Sequence, residues 1–496
     1  MAKQNSYACV CHVNRKSAGH GYARLVSLGN PSRLLGGALR FRGRLAGAAK
    51  AQRARIRAAS QPGTCRGSLA ARFDSVLVLR ALLGQAMLNG IEMKAKRALT
   101  MLCLASYEKG HRFLEEARRQ GCRVLLLTSQ SLAGKWPAEL YDEIFYMPDN
   151  EFEWNLQHML RGVNHLCRTE RVKRIVPLDD FDLEKAALLR EHLRLPGLGE
   201  TATRYFRDKL AMRMRATESG IRVPDFTGTF NYQDITEFLE RVPPPWVLKP
   251  RLMAGAMGIR KCQTKEEVWE NIHRLGDEQS YFVLERFVPG DIFHVDSIWF
   301  GGDVRFAIAS AYGTPPLEVA TGGGIFTTET LEAGGELEAS LRQMNQAVLR
   351  AFGLRDGVSH TEFIRAHDNG ALYFLETSAR VGGANIADLI EAASGLNMWA
   401  EWAKVESAAA VGGAYQVAEN SRQQAGLLVS LARQEWPDTS SFSEPELVWR
   451  MHKKHHVGFI VKSPQRERVS ELLKVYTERV RSDYHASAPP RDKPGE

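Results

Sequence analysis

From residue 98 the chain alternates short apolar runs with amphipathic stretches, and few folds accept that alternation. Ala98-Leu-Thr-Met-Leu-Cys-Leu-Ala105 is a short apolar run, Lys109 to Gly121 has a helical period that stops at a glycine, and Cys122-Arg-Val-Leu-Leu-Leu-Thr128 is a second apolar run. Strands without a polar face, separated by a helix, belong to a parallel sheet covered on both sides. Arg174-Ile-Val-Pro-Leu-Asp-Asp180 reads as a further strand of that sheet, a helix follows over 183–193, and Pro196-Gly197 closes the unit.

A second lobe starts near Arg204, with one helix expected from Tyr205 to Gly220. Pro243-Pro-Pro245 breaks the chain before a strand at 246–249, and 281–288 reads as another strand. Residues 292–300 and 304–310 form a hairpin about Gly301-Gly302-Asp303. Strands near 426–431 and 457–461 and a helix over 469–480 follow, and the tail after Ser482 is expected to be disordered. The fold class is therefore mixed, α/β followed by α+β.

The overall charge of +9 is unevenly spread: residues 1–98 hold 18 Lys or Arg against the two acids Asp74 and Glu92, whereas 99–496 hold 48 basic and 55 acidic residues. The main body is mildly acidic, so the basic balance does not argue for nucleic-acid binding by residues 99–496. Three readings of the first ninety residues stay open: an organelle transit peptide, a basic disordered arm, or a start at Met93. A short apolar piece over 76–87 reads as a helix. Seven scattered cysteines, with Cys9 and Cys11 lacking a second pair, exclude a disulfide framework or a zinc module and fit a reducing, cytoplasmic compartment, with organelle targeting left open by the arm. No apolar run is long enough to span a membrane.

Two carboxylates carry the strongest chemical signal. Val358-Ser-His-Thr-Glu362-Phe-Ile-Arg365 and Ala371-Leu-Tyr-Phe-Leu-Glu376-Thr-Ser378 read as a hairpin. A three-residue loop, Asp368-Asn369-Gly370, sets Glu362 opposite Glu376 and His360 opposite Ser378. Facing like charges destabilise a sheet unless a cation lies between them, and magnesium prefers carboxylate oxygens together with substrate phosphates. The strand Trp246-Val-Leu-Lys249 enters a small-residue loop, Ala254-Gly255-Ala-Met257-Gly258, suited to backbone amides closing on phosphate around a lysine. Arg207-Asp-Lys209-Leu-Ala-Met-Arg213 lies on the helix that opens the second lobe. Leu284-Glu285-Arg286-Phe-Val288 reads as a strand whose unpaired edge can meet a base, and Arg380 follows the acidic strand, where it can clamp a phosphoryl group. Each taken alone also has an ordinary reading: a solvated hairpin face, a glycine turn, a basic helix face or a buried strand. Arg450 to His456 reads as a solvated strand end.

In this order, Lys209, Lys249 with its loop, Glu285, Val288, Glu362, Glu376 and Arg380 resemble the ATP-grasp superfamily, over about residues 99–475 and nearest the carboxylate–amine ligases. The resemblance implies a Rossmann-like lobe at 99–200, a small lid at 201–285, a large lobe with a C-terminal portion at 286–481, a disordered tail at 482–496 and a basic extension at 1–98. It implies that Lys209 and Lys249 hold ATP phosphates and that 254–258, with Gly255, Met257 and Gly258, cover them. Glu285, Arg286 and Val288 meet the adenine, and His294 or Asp296 lies near the ribose. Glu362 and Glu376 bridge magnesium, replaceable by manganese, while Arg380 and Lys249 act on the acyl phosphate. The family's asparagine two residues after the second glutamate is here Ser378, a poorer metal ligand. The implied reaction is ADP-forming activation of a small carboxylate for attack by an amine. The Gly-rich segment Thr321-Gly-Gly-Gly324-Ile-Phe-Thr-Thr328, read as flexible, borders the acceptor pocket or is a plain surface loop. The rivals are bicarbonate activation of the biotin-carboxylase kind, a non-catalytic ATP-binding regulator, and polyanion binding by residues 1–98. A homodimer is left open.

Overall fold

The computed structural model describes the backbone of Cys11–His12 and residues 99–150 and 153–487. Otherwise the basic extension, with the apolar helix read over 76–87, lies outside the described residues. The described part from residue 98 onward is one compact unit built on three main sheets.

The first sheet contains β1 (Thr100–Ala105), β2 (Arg123–Ser129), β3 (Glu143–Met147) and β4 (Val172–Pro177) in the parallel order β3-β2-β1-β4, with Cys11–His12 pairing antiparallel on the β3 edge. Every residue of β1 is buried, as an apolar strand between two layers must be. Helix α1 (His111–Arg119) covers one face, and α2 (Leu156–Leu166) and α3 (Leu183–Leu193) cover the other. The strand order reverses between β1 and β4, where a sheet of this kind opens a crevice at the carboxyl ends of its strands. There Asp182 accepts from the Ser106 backbone N–H at 2.9 Å and fixes the acidic turn after β4.

The helix expected from Tyr205 to Gly220 is α5 (Lys209–Glu218), which starts four residues late, after a short helix α4 (Glu200–Arg204) and a turn at 205–208. No glycine or proline marks that start. Asp208 turns out of the helix and caps α5, accepting from the N–H groups of Leu210 and Ala211. The second sheet has β5 (Phe226–Gly228), β6 (Trp246–Pro250), β7 (Arg260–Cys262) and β8 (Phe282–Arg286), antiparallel in the order β7-β6-β8-β5, with α6 (Tyr232–Arg241) and α7 (Lys265–Leu275) on its apolar face. The strand expected to offer a free edge to a base, β8, is therefore interior and paired on both sides, through Glu285 to Phe226 and Val247.

The third sheet is antiparallel and eight-stranded. Its strands are β9 (Gly290–Phe300), β10 (Asp303–Tyr312), β11 (Phe326–Thr330), β12 (Gly357–Ala366), β13 (Leu372–Ser378), β14 (Gln424–Leu431), β15 (Leu447–Arg450) and β16 (His456–Ser463), in the order β13-β12-β9-β10-β11-β14-β16-β15. The expected β9–β10 hairpin is present, and both turn glycines, Gly301 and Gly302, have positive φ. The segment at 321–328 is not a flexible loop: α8 (Pro316–Gly322) ends in it and β11 begins in it. Helices α9 (Glu336–Phe352), α10 (Ile386–Ser394), α11 (Met398–Val411) and α12 (Arg466–Asp483) pack on this sheet. The tail is docked beyond Ser482, since α12 runs to Asp483, Tyr484 is buried, and His485 bridges to Ala432.

The carboxylate hairpin reaches its expected pairing by an unexpected route. The β12–β13 loop has four residues, 367–370, closed by Ala366 N–H to the Ala371 carbonyl and Gly370 N–H to the Ala366 carbonyl. That loop alone shifts the register by one. A bulge between Glu362 and Phe363, with Leu375 the extra residue, shifts it back, so Glu362 faces Glu376 and His360 faces Ser378.

Candidate active site

Helix α5 begins the site. Arg207 donates to the Leu252 carbonyl at 2.8 Å, Asp208 pairs with Arg251, and Lys209 donates through Nζ to the Met253 carbonyl at 2.5 Å. The Arg207-Asp-Lys209 motif thus grips the loop that leaves β6. That loop carries three consecutive-turn positions with positive φ, at Gly255, Ala256 and Gly258. Gly255 and Gly258 are exposed, and Met257 lies between them, half-buried. Left-handed backbone next to exposed glycine directs amide groups outward, as an anion cradle requires.

Lys209 Nζ also lies 3.0 Å from Glu376. One lysine therefore links the glycine loop to the acidic hairpin. Glu376, 29% exposed, is drawn up by burial, but Lys209, then Lys249, outweigh it and hold the carboxyl below its usual range. Opposite it, Glu362 accepts from the Tyr312 hydroxyl at 2.8 Å and lies 3.5 Å from His360 Nε2.

Behind this rung is a buried ionic cluster. Lys249 Nζ pairs with Glu285 at 2.6 Å, and Arg213, with no exposed surface, pairs with the same carboxylate at 3.0 Å. Burial draws Lys249 down to about 8, because Glu285 opposes the desolvation only in part. Glu285 is pushed up by burial, but Arg213 and Lys249 prevail and keep it below the ordinary value. Arg213 also donates to the Leu375 carbonyl, the group set free by the bulge. Its guanidinium therefore ties α5 to both β8 and the residue before Glu376.

A second cluster lies at the crevice of the parallel sheet. Asp180, buried in the turn after β4, accepts the Ser378 hydroxyl and pairs with Arg380 through Nε at 2.6 Å and through Nη2. Burial raises Asp180, but Arg380 and then Arg207 outweigh it and hold the carboxyl far below its usual range. A two-point guanidinium–carboxylate pair is a rigid one, so Arg380 has a fixed position.

Lys209, Lys249, Glu285, Glu362 and Glu376 thus come together, and Ser378 and Arg380 adjoin them through Asp180. Other expected contacts differ. Arg286 turns away to the Tyr373 hydroxyl, at 3.2 Å, and to Asp225. Val288 is buried with Ile364 and Ala366. His294 is a correction: it has no exposed surface, and both ring nitrogens are engaged, by Asp296 and Thr328, so neither it nor the equally buried Asp296 is placed to meet a ribose.

Asp180, Tyr312 and His360 escaped the sequence reading as functional residues, and Arg213 stood in the basic motif without a role of its own. Arg213 had a signal, standing four residues after Lys209 on one helix face. Asp180 had a weaker one, an acid just past the carboxyl end of a parallel strand. Tyr312 and His360 gain meaning only from the strand pairing. Glu362 and Glu376 fit magnesium: they are hard oxygen donors on facing strands, with Lys209, Tyr312 and His360 around them. The Ser378 hydroxyl donates a hydrogen bond to Asp180.

The chain superposes on the crystal structure of an L-amino acid ligase from Bacillus licheniformis with a TM-score of 0.61 and 18% identity, covering 80% of this chain and 100% of that one. The chain has the ATP-grasp fold. An N5-carboxyaminoimidazole synthetase from Staphylococcus aureus, solved as its ADP complex, shares this ATP-grasp architecture with a TM-score of 0.58 and 14% identity over 76% of this chain and 97% of that one. In sequence, the chain is 28% identical over 232 residues to the L-arginine-specific L-amino acid ligase of Bacillus subtilis. That match takes in 45% of this chain and 55% of the relative, so the chain spans about half the length of this curated relative. No family model matches the chain. These relatives lie in the carboxylate–amine ligase group of the ATP-grasp proteins. Among the described residues no helix is long and apolar enough to cross a membrane.

Proposed function

We propose that the protein is a magnesium-dependent ligase that uses ATP to join a small carboxylic acid to an amine, releasing ADP and phosphate. By likeness to the L-amino acid ligases, the acid is an amino acid. The observation that carries this reading is the meeting of Lys209 with Glu376, directly opposite Glu362 and beside a loop of left-handed glycines.

In this reading Lys209 and Lys249 bind the phosphates, and backbone amides at 254–258 cover them. The adenine lies where the chain leaves β8, against backbone and not against the side chains of Arg286 and Val288. Glu362 and Glu376 hold magnesium, which when bound offsets negative charge on the phosphates. The substrate carboxylate attacks the γ-phosphorus, its oxygen forms the new P–O bond, and ADP leaves. Arg380, oriented by Asp180, faces the acyl phosphate and stabilises the charge that develops there. The amine then attacks the acyl carbon, phosphate departs with the C–O electron pair, and the amine's proton is lost. Lys209 holds the loop through Met253, and this contact must re-form around nucleotide so that water is kept from the acyl phosphate.

The test uses the full chain with Mg-ATP, pooled amino acids and small carboxylates, and hydroxylamine, following ADP, AMP and hydroxamate. ADP with matching hydroxamate is the expected result. AMP in place of ADP, or ADP with no trapped acyl group under any acid, rejects the ligase reading.

A further inference from the structure

A line of buried polar side chains crosses the large sheet and ends at Glu362. Thr328 on β11 lies 2.9 Å from His294 Nε2, and His294 Nδ1 lies 2.7 Å from Asp296, both on β9. The other Asp296 oxygen is 3.0 Å from His360 Nδ1 on β12. His360 Nε2 in turn is 3.4 Å from the Tyr312 hydroxyl, which donates to Glu362 at 2.8 Å. The Tyr312 ring lies against His294, with centroids 4.8 Å apart. Asp296 therefore fixes both supports of the Glu362 contact: His360 directly, and Tyr312 through the ring of His294.

The interior excludes water from the middle of this line. His294 and Asp296 have no exposed surface, and a Cβ at Gly382 would sit 2.9 Å from Asp296 and 3.0 Å from His360. The loop that carries Arg380 thus closes directly onto Asp296. Burying such groups costs stability unless every partner is present, and a satisfied network in a low-dielectric interior is rigid. A carboxylate that must receive a cation in one orientation gains from that rigidity, and outer partners of metal ligands contribute about 10–100-fold to metal affinity.

We infer that Asp296 is a positioning residue that orients Glu362 for its metal through His360 and Tyr312. This inference rests on the proposed role of Glu362 as a magnesium ligand. The same three side chains, His294, Asp296 and His360, have ligand atoms within 4.8 Å of one another, so a metal held by the three themselves is the rival arrangement.

The experiment measures Mn2+ binding to the full chain with ATP by electron paramagnetic resonance, and metal-free ATP binding by calorimetry. The proteins are wild type, Glu362→Gln, Asp296→Asn and Tyr312→Phe. The expected result is an affinity for Mn2+ lowered about tenfold or more in Asp296→Asn and Tyr312→Phe, with metal-free ATP affinity unchanged. Tyr312→Phe keeps the ring on His294 and carries the test if Asp296→Asn fails to fold. Wild-type Mn2+ affinity in a folded Tyr312→Phe protein overturns the inference. So does a stoichiometric metal in purified wild type that Asp296→Asn loses. Failure of the underlying reading looks different: Glu362→Gln then binds Mn2+ as wild type does.

Discussion

The parallel sheet keeps its buried acids beyond its strands, whereas the eight-stranded sheet buries titratable groups within them. In β1 and β2 the buried side chains are mainly apolar, with Thr100, Thr128 and Ser129 the buried polar exceptions, and the acids Asp179, Asp180 and Asp182 stand just beyond β4. In the large sheet the strands themselves bury His294, Asp296, Ser297, Ser359, His360, Thr361, Thr377 and Ser378. A parallel sheet lends a site only its carboxyl edge. An antiparallel sheet can turn one whole face to chemistry, provided every buried polar group there finds a partner.

The largest test of this contrast is Glu376→Ala in the large sheet. ADP formation should fall by at least about 10³-fold, while circular dichroism and the melting temperature stay near wild type. Retained turnover would end the metal assignment.

Asp180→Asn tests the carboxyl edge of the parallel sheet. Breaking the pair leaves Arg380 buried without its counter-charge, a loss of about 3–5 kcal/mol at neutral pH. The Asp180 carboxyl is held below its usual range. Its stabilisation is therefore complete above the ordinary carboxylate pKa, about 4, and is lost as pH falls toward its own lower value. Denaturant unfolding against pH should show a flatter acid limb in the variant; an unchanged limb would mean that the pair contributes no stability.

Lys249 sharpens the comparison between the buried cluster and the open rung. With its pKa drawn down to about 8, it is charged at pH 7 and mostly neutral at pH 9. Metal-free ADP should then bind about tenfold more weakly at pH 9 than at pH 7. Calorimetry on Lys249→Met should show no such dependence, and a persisting one would assign it elsewhere.

The smallest effect is expected at the junction of the two sheets. Ser378→Ala removes one hydroxyl from Asp180 and should cost about 1 kcal/mol, with Mn2+ affinity unchanged. A clear drop in Mn2+ affinity would make Ser378 a metal ligand.

The legible parts of the fold were those written in local pattern. The apolar runs of β1 and β2 and the span of α3, Leu183–Leu193, needed no distant information. The Glu362–Glu376 rung was legible too, although its loop length was not: four residues replaced three, and the bulge at Leu375 restored the register. Bulges answer to packing and partners, here the Arg213 guanidinium on the Leu375 carbonyl, and a strand pattern does not record them. The start of α5 at Asp208 was hidden for a related reason, since its carboxylate both caps α5 and pairs with Arg251, 43 residues away.

The sequence by itself determined the alternation that demands a parallel sheet, the acidic hairpin, the basic residues before it and their order along the chain. These follow from periodicity and residue type, which act over a few neighbours. Only the tertiary structure decided that Asp180 holds Arg380, 200 residues away, that Arg213 shares Glu285 with Lys249, and that Asp296 anchors the support of Glu362. Each of these depends on burial. A charge or hydroxyl taken out of water must find whichever partner the folded chain brings within reach, and one-dimensional spacing does not say which that is.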